Sequence, residues 1–157
     1  MRTPQRKWRE FLSPENLIKV SRIHSDNDTK ASRQIREEVF VVEQQVPPEI
    51  EYDEYEQNST HILARLDGVP VGTARWRKTE RGHKLERFAV LKSARGKGVG
   101  EALVKFVLNQ IEDSEPAYLN SQVSAIPFYA RQGFEATGGI FYEAGIPHRK
   151  MVLRRVI

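Results

Sequence analysis

A glycine-rich stretch, Arg95-Gly96-Lys97-Gly98-Val99-Gly100, is the part of the chain best suited to holding an anion. Glycines at alternate positions leave backbone N–H groups unshielded, and Arg95 and Lys97 add positive charge beside them. A helix is predicted directly afterwards, because apolar residues recur at intervals of three and four between Val99 and Ile111. The positive end of that helix would point at the loop. The stretch therefore predicts a binding site for a phosphate or pyrophosphate group.

Two common phosphate-binding loops do not fit this spacing. The dinucleotide-binding fingerprint requires Gly-x-Gly-x-x-Gly, whereas Gly96, Gly98 and Gly100 simply alternate. A Walker loop requires Gly-Lys followed by Ser or Thr, and the sequence contains no such triplet. The spacing alone leaves open a glycine turn with a purely structural role.

Three segments together resemble the GNAT-type N-acetyltransferases. The glycine loop, which follows the apolar strand at residues 85–91, is similar to their motif A. Residues 125–134, with the pattern Ala-x-x-Phe-Tyr-x-x-x-Gly-Phe, are similar to their motif B. Residues 36–44 contain a Val-Phe-x-x-Glu-Gln pattern, and an acidic stretch leads from there to His61, which resembles the ElaA/YjcF-like branch of the superfamily. The matches span roughly residues 30–155.

The resemblance implies acetyl-CoA as the acetyl donor and a site along the strand and the glycine loop. Backbone groups of the strand would line the pantetheine arm and polarise the thioester carbonyl, and the loop would hold the pyrophosphate. The implied acetyl-CoA-binding residues are Phe88, Ala89, Val90, Arg95, Gly96, Lys97, Gly98, Val99, Gly100, Asn120, Gln122 and Tyr129.

Glu86 and Tyr129 are the predicted catalytic residues. In a regular strand Glu86 would share a face with Phe88, so it is a candidate general base toward the amine, directly or through a water. A solvated strand carboxylate is the alternative. Tyr129 matches the tyrosine that many family members use as a general acid toward the departing thiolate, and a tyrosine that belongs only to the core is the alternative.

An acidic stretch indicates where on the protein the acceptor amine would bind. Residues 49–56 contain five carboxylates and no base, and His61 follows closely. Such a surface would attract cationic amines, so Asp53, Glu54 and His61 are predicted to bind the acceptor. A solvated loop and a histidine with no chemical task remain the alternatives. No two of the four histidines have metal-ligand spacing, and no metal is predicted.

Length and composition indicate one soluble domain. The chain has 157 residues, 29% of them charged and 39% hydrophobic, and a net charge of +4. It has no cysteine, so an acyl-cysteine intermediate is excluded and the acyl group would pass directly between bound substrates. Apolar runs are too short for a membrane helix or signal peptide, and a cytoplasmic location is predicted. Residues 1–14 are predicted to form a flexible basic tail, and residues 15–157 to form the acetyltransferase-like domain.

Hydrophobic periodicity predicts an α+β fold with the order β-α-β-β-β-α-β-α-β-β and a mixed, mostly antiparallel sheet flanked by helices. The resemblance implies the same order. The predicted strands cover residues 17–23, 61–66, 69–76, 85–91, 118–123, 134–142 and 148–156. The predicted helices run from about residue 26 to 44, from 99 to about 114, and from 126 to 132.

The leading functional hypothesis is an acetyl-CoA-dependent N-acetyltransferase that acts on a primary amine, in a small molecule or a peptide. A non-catalytic acyl-CoA-binding sensor is the second, and it would need neither Glu86 nor Tyr129. A nucleic-acid-binding protein, suggested by a pI near 9.4, is disfavoured because the bases gather at the termini and the glycine loop without an aromatic platform. Dimers are common in the family, and the oligomeric state is left open.

Overall fold

A seven-stranded mixed sheet forms the centre of the molecule, in the spatial order β1-β2-β3-β4-β5-β7-β6. The computed structural model describes residues 17–154, and the predicted tail at residues 1–14 lies outside them. The strands are β1 (Ile18–Arg22), β2 (Thr60–Leu66), β3 (Val69–Thr79), β4 (Gly82–Val90), β5 (Ala117–Gln122), β6 (Phe134–Glu143) and β7 (Ile146–Leu153). The helices are α1 (Asp26–Arg36), α2 (Pro48–Glu51), α3 (Val99–Gln110) and α4 (Ile126–Arg131). The predicted α+β element order is confirmed, with the short α2 as an addition.

The first helix changes its geometry part-way along. Ser25 caps α1, because its hydroxyl oxygen accepts a hydrogen bond from the Asp28 N–H at 3.1 Å. The sequence predicted one helix to about residue 44, but the chain continues from α1 as a π-helix over Glu37–Glu43. Its end is marked by the Gln44 N–H, which donates to the Val39 carbonyl five residues earlier. We call Glu37–Glu43 the π segment.

The two faces of the sheet carry different helices. On one face α3 approaches β3 so closely that a Cβ at Gly72 would lie 2.9 Å from the Cγ1 of Val99, and only glycine permits this contact. On the other face α1 is fixed by a 2.6 Å hydrogen bond between the hydroxyls of Ser32 and Thr73. Successive residues of β3 therefore face α3 and α1 in turn.

The sheet opens between β4 and β5. These parallel strands pair only where His83, Lys84 and Leu85 lie beside Ala117, Tyr118 and Leu119. Beyond that point the two strands separate, and their facing backbone groups no longer bond to each other. We call this opening the cleft.

An extra residue in β4 lies beside the cleft. The register with β3 shifts between Thr73 and Arg75, and Arg87 has a φ of 60°. One additional residue with a left-handed backbone conformation is a β-bulge, and it reverses the alternation of side chains beyond it.

No helix in residues 17–154 has both the length and the apolar character needed to cross a membrane.

Candidate active site

A cavity of about 650 Å³ occupies the cleft. Its walls come from β4, β5, the glycine loop, α4 and the π segment, together with the end of β6 and the start of β7. Most of the predicted acetyl-CoA-binding residues line this cavity, and they are Phe88, Ala89, Val90, Arg95, Gly96, Gly98, Val99, Gly100, Asn120, Gln122 and Tyr129. Lys97 is exposed on the loop beside it.

The glycine loop has the backbone geometry that an anion site requires. Gly96 and Gly98 have φ values of 79° and 90°, a region that residues with a side chain rarely adopt. Gly98 directly precedes α3, so the free N–H groups of the first turn of the helix point toward the loop. Gly100 has a different role, because a Cβ there would lie 3.2 Å from the Cζ of Phe128.

Arg95 connects the glycine loop to the π segment. Its two terminal nitrogens donate to the Glu43 carboxylate at 2.7 Å each, and its Nε–H donates to the Val90 carbonyl at 2.9 Å. These hydrogen bonds raise the pKa of Arg95 and lower the pKa of Glu43. The positive charge predicted for the loop is thus present, but it is shared with a carboxylate that the sequence did not identify as part of the site.

Tyr129 lies on α4 within a group of aromatic rings. Its ring meets Phe128, Phe88 and Phe134 edge to face, with centroid distances of 4.9, 6.0 and 6.2 Å. The residue also lines the cavity. Burial raises the pKa of Tyr129, so its hydroxyl remains protonated at neutral pH. Among residues 17–154 no hydrogen bond is formed by this hydroxyl.

Glu86 and Phe88 lie on opposite faces of the sheet, which corrects the prediction that they share one. Glu86 pairs with Arg75 of the neighbouring strand β3. It lies on the same face of the sheet as Thr73, whose hydroxyl contacts α1. Phe88 instead contacts Tyr129 and packs with the core under α3. The bulge at Arg87 causes the difference, because it inserts one residue into the alternation.

Glu86 is held by two guanidinium groups. Arg75 Nη2 and Arg77 Nε each donate to its carboxylate at 2.8 Å. Burial alone would favour the neutral acid, but the hydrogen bonds from Arg75 and Arg77 hold the pKa of Glu86 below its ordinary value. Glu86 is therefore ionised at neutral pH and is a weak base.

An ion-pair network that the sequence did not predict surrounds this carboxylate. Arg75 is fully buried and also donates to Asp53 at 2.7 and 2.9 Å. Arg36, 2% exposed, pairs with Glu51 at 2.8 Å. We call this cluster the arginine network, and its members are Arg36, Glu51, Asp53, Glu56, Arg75, Arg77, Glu86 and Arg87.

None of the three predicted acceptor residues lines the main cavity, and one of them, Asp53, is a member of the arginine network. Asp53 is bound by Arg75 and Arg87, and Glu54 is exposed. The Nε2 of His61 lies 2.8 Å from the Glu56 carbonyl oxygen, and this histidine lines a separate cavity of about 410 Å³. Glu51 and Glu86 are the network carboxylates that reach the main cavity.

The two predicted polar residues of β5 contact side chains of two different elements. The Gln122 Nε2 donates to the Gln44 Oε1 at 2.8 Å, which connects β5 to the end of the π segment. The Asn120 Nδ2 lies 3.5 Å from the Glu143 Oε1 at the end of β6. Across the portion that the structure describes, no group of three or more His, Asp or Glu side chains is arranged to hold a metal ion.

A glycine-rich loop at a helix start, beside two parallel strands that separate, is the arrangement expected from the sequence motifs. Residues 24–155 match the sequence family described as "Acetyltransferase (GNAT) domain". The chain belongs to the GNAT acetyltransferase family. Family members use acetyl-CoA as a co-substrate, and the loop and cleft described above fit that group because they offer free backbone donors in an open groove.

Among relatives of this GNAT protein, the uncharacterized N-acetyltransferase YjcF of Bacillus subtilis is 41% identical over 131 residues, covering 82% of this chain and 94% of that protein. The crystal structure of Escherichia coli ElaA has a TM-score of 0.77 and 28% identity, covering 88% of this chain and all of that one. An acyl-CoA N-acyltransferase from Pseudomonas aeruginosa has a TM-score of 0.76, 28% identity and the same coverage.

These comparisons confirm the GNAT fold and the ElaA/YjcF-like branch that the motifs indicated. They also establish the GNAT protein as an acyltransferase enzyme that depends on acyl-CoA, so the sensor hypothesis gives way to catalysis. Amines are the acceptors of the family in general.

Proposed function

We propose that this protein transfers the acetyl group of acetyl-CoA directly to a primary amine. The observation that carries the proposal is the cleft between β4 and β5, which has the glycine loop at its edge, Tyr129 on the α3 side and Glu86 on the α1 side. Two substrates can therefore meet in the plane of the sheet from opposite faces. The absence of cysteine supports transfer without an acyl-cysteine intermediate.

The donor would lie along β4 and end at the start of α3. The free N–H groups at Gly96, Gly98 and the first turn of α3 would bind the pyrophosphate, with Arg95 and Lys97 adding charge. The backbone of Phe88, Ala89 and Val90, unpaired on the β5 side, would bind the pantetheine arm. One of its N–H groups would stabilise the thioester oxygen as that oxygen becomes negative.

Tyr129 would assist departure of the thiolate. As the amine nitrogen bonds to the acyl carbon, the carbon–sulfur bond breaks and the sulfur needs a proton. The raised pKa keeps the Tyr129 hydroxyl protonated and able to donate a hydrogen bond to the sulfur. Its lack of a hydrogen-bond partner within residues 17–154 leaves the hydroxyl available for this contact.

Glu86 would receive the amine on the opposite side. Because its pKa is held below the ordinary value, the carboxylate attracts an ammonium group more effectively than it removes a proton from one. We propose that it favours cationic amines, that it orders a water beside the amine, and that Asp53 acts on it through Arg75. Contacts of Glu54 and His61 with the acceptor stay predictions.

The proposal is tested by measuring free CoA release with a panel of amines. A thiol reagent reports CoA without background, because the protein has no cysteine. Polyamines and lysine-like amines should react faster than neutral amines, and mass spectrometry should find one added acetyl group on the product. Added salt should raise the KM of the cationic amines, since exposed charges are screened beyond about 8 Å at physiological ionic strength. CoA release that is independent of every amine would contradict the proposal.

A further inference from the structure

His148 lies in the wall of the cavity, on the acceptor side. It belongs to β7, where it pairs in register with Gln122 of β5, and it is 8% exposed. Residues directly opposite in an antiparallel pair share a face. Since Gln122 contacts Gln44 at the end of the π segment, both side chains lie on the α1 side of the sheet, as Glu86 does.

The surroundings of His148 specify which ring nitrogen is basic. Its Nδ1 lies 2.7 Å from the carbonyl oxygen of Ile146, and a carbonyl can only accept a hydrogen bond. In the neutral imidazole Nδ1 therefore carries the hydrogen and Nε2 has the lone pair. The ring of Phe141 stacks on the imidazole at an interplanar angle of 24°, which restricts its rotation.

A carboxylate faces the basic nitrogen. The Oε2 of Glu143 lies 4.0 Å from Nε2 of His148, close enough to favour an imidazolium once it forms. Across β5 the register partner of His148 is Gln122, whose side-chain amide donates to Gln44. The other charged side chains that line the same cavity are Glu51, Lys84, Glu86, Arg87, Arg95, Glu101 and Arg131. The neighbouring cations on β7 are directed elsewhere, because the Lys150 Nζ lies over the Tyr118 ring and the Arg149 Nε donates to the Gly138 carbonyl.

We propose that His148 is the proton acceptor for the attacking amine. The inference rests on the proposed function and adds the base to it. The ammonium group held beside Glu86 first loses one proton to bulk water. The free amine then attacks the acyl carbon, the carbon–sulfur bond breaks, and the second proton passes from nitrogen to Nε2 of His148. Glu143 stabilises the resulting imidazolium, and Tyr129 donates a hydrogen bond to the departing thiolate. The proton held by His148 then passes through water to the sulfur, which leaves as the CoA thiol, and the imidazole returns to its neutral form. Glu86 attracts and orients the amine and stays ionised throughout.

The test compares His148→Gln with Glu86→Gln and with the matched control His24→Gln, whose histidine is exposed near the end of β1. His148→Gln should reduce kcat by about 100-fold or more, the usual contribution of a positioned general base. The Kd for acetyl-CoA, measured by calorimetry, should stay unchanged. The wild-type kcat/KM should fall toward acidic pH as the general base becomes protonated, and this acidic limb should be absent from His148→Gln. Glu86→Gln should keep the limb and raise the KM of the amine.

Chemical rescue provides a second measurement. Imidazole added to His148→Ala should restore part of the lost turnover, with a dependence on the concentration of neutral imidazole, and it should not affect Glu86→Gln. Full activity and an unchanged acidic limb in His148→Gln would overturn the inference while leaving the proposed function in place. A wild-type protein that releases no CoA with any amine would overturn both.

Discussion

Arg75 and Glu86 face each other across β3 and β4, with 2.8 Å between Nη2 and Oε2, and the arginine side chain is fully buried. The pair connects the cavity in the cleft, which Glu86 lines, to the acidic segment around Asp53. The Asp53 carboxylate accepts from the same guanidinium. A buried guanidinium with three carboxylate partners both neutralises their charge and holds the segments that carry them together.

Arg75→Met should strongly destabilise the protein. Removing the guanidinium leaves buried carboxylates without their counter-charge, and breaking such a pair costs about 3–5 kcal/mol. The matched control is Lys105→Met, which removes an exposed pair with Glu101 and should leave the free energy of unfolding nearly unchanged. Urea denaturation measures both values, and equal values for the two variants would contradict the role assigned to the network.

Stability should fall when the network carboxylates become protonated. Their hydrogen bonds with arginine hold the pKa values of Asp53, Glu56 and Glu86 below the ordinary values of 3.8 and 4.5, although burial acts in the opposite direction. A lowered folded-state pKa gives stability that is complete above the unfolded-state pKa and is lost as the pH falls through the folded-state pKa. The free energy of unfolding should therefore decline below about pH 4.5, and Glu86→Gln should make that decline shallower. Parallel curves for the two proteins would exclude a contribution from Glu86.

Charge reversal of the glycine loop should abolish donor binding. At 100 times its Kd, acetyl-CoA should stabilise the wild-type protein by about 2.7 kcal/mol. The double variant Arg95→Glu with Lys97→Glu should lose most of this stabilisation, because its carboxylates repel the pyrophosphate. Thermal unfolding with and without acetyl-CoA measures the difference, and an undiminished shift would place the donor elsewhere.

Glu43→Gln should have the opposite effect on the donor. Glu43 holds Arg95 in a two-point ion pair, so the substitution removes a negative charge next to the anion site and frees the guanidinium. We expect a several-fold lower Kd for acetyl-CoA by calorimetry. A weaker Kd would show that the ion pair orders the loop for binding instead of competing for it.

Tyr129→Phe should separate catalysis from binding. The substitution deletes one hydroxyl and keeps the ring that packs against Phe88, Phe128 and Phe134. Turnover should fall while the Kd for acetyl-CoA changes little. Tyr142→Phe, at a position 69% exposed, is the control and should keep full turnover.

The sequence predicted the parts of the candidate site that depend on residues adjacent to one another in the chain. The alternate glycines and the helix that begins at Val99 are local patterns, which adjacent residues reveal by themselves. The π segment was not predicted, because its apolar spacing is compatible with an ordinary helix. The bulge at Arg87 was not predicted either, since arginine gives no sign of a left-handed backbone.

The arginine network depends on contacts between distant parts of the chain. Arg36, Glu51 and Arg75 come from α1, α2 and β3, and nothing in their local sequence distinguishes them from surface charges. The one available sequence signal for the network was the alternation Thr73, Arg75, Arg77. It would place two cations on one face of a strand, beside Glu86 of the neighbouring strand. The acidic stretch was instead interpreted by itself, without the buried arginines that bind it.

The inserted residue at Arg87 directs two nearby side chains of one strand, Glu86 and Phe88, to opposite faces of the sheet. Under the proposed function, Phe88 would lie beside the thioester and Glu86 beside the amine. Substitutions on the amine face can accumulate without altering the packing that serves the thioester. A lineage that keeps this bulge can diversify its acceptors while preserving a single donor, and directed evolution of acceptor preference should begin at the positions that face α1.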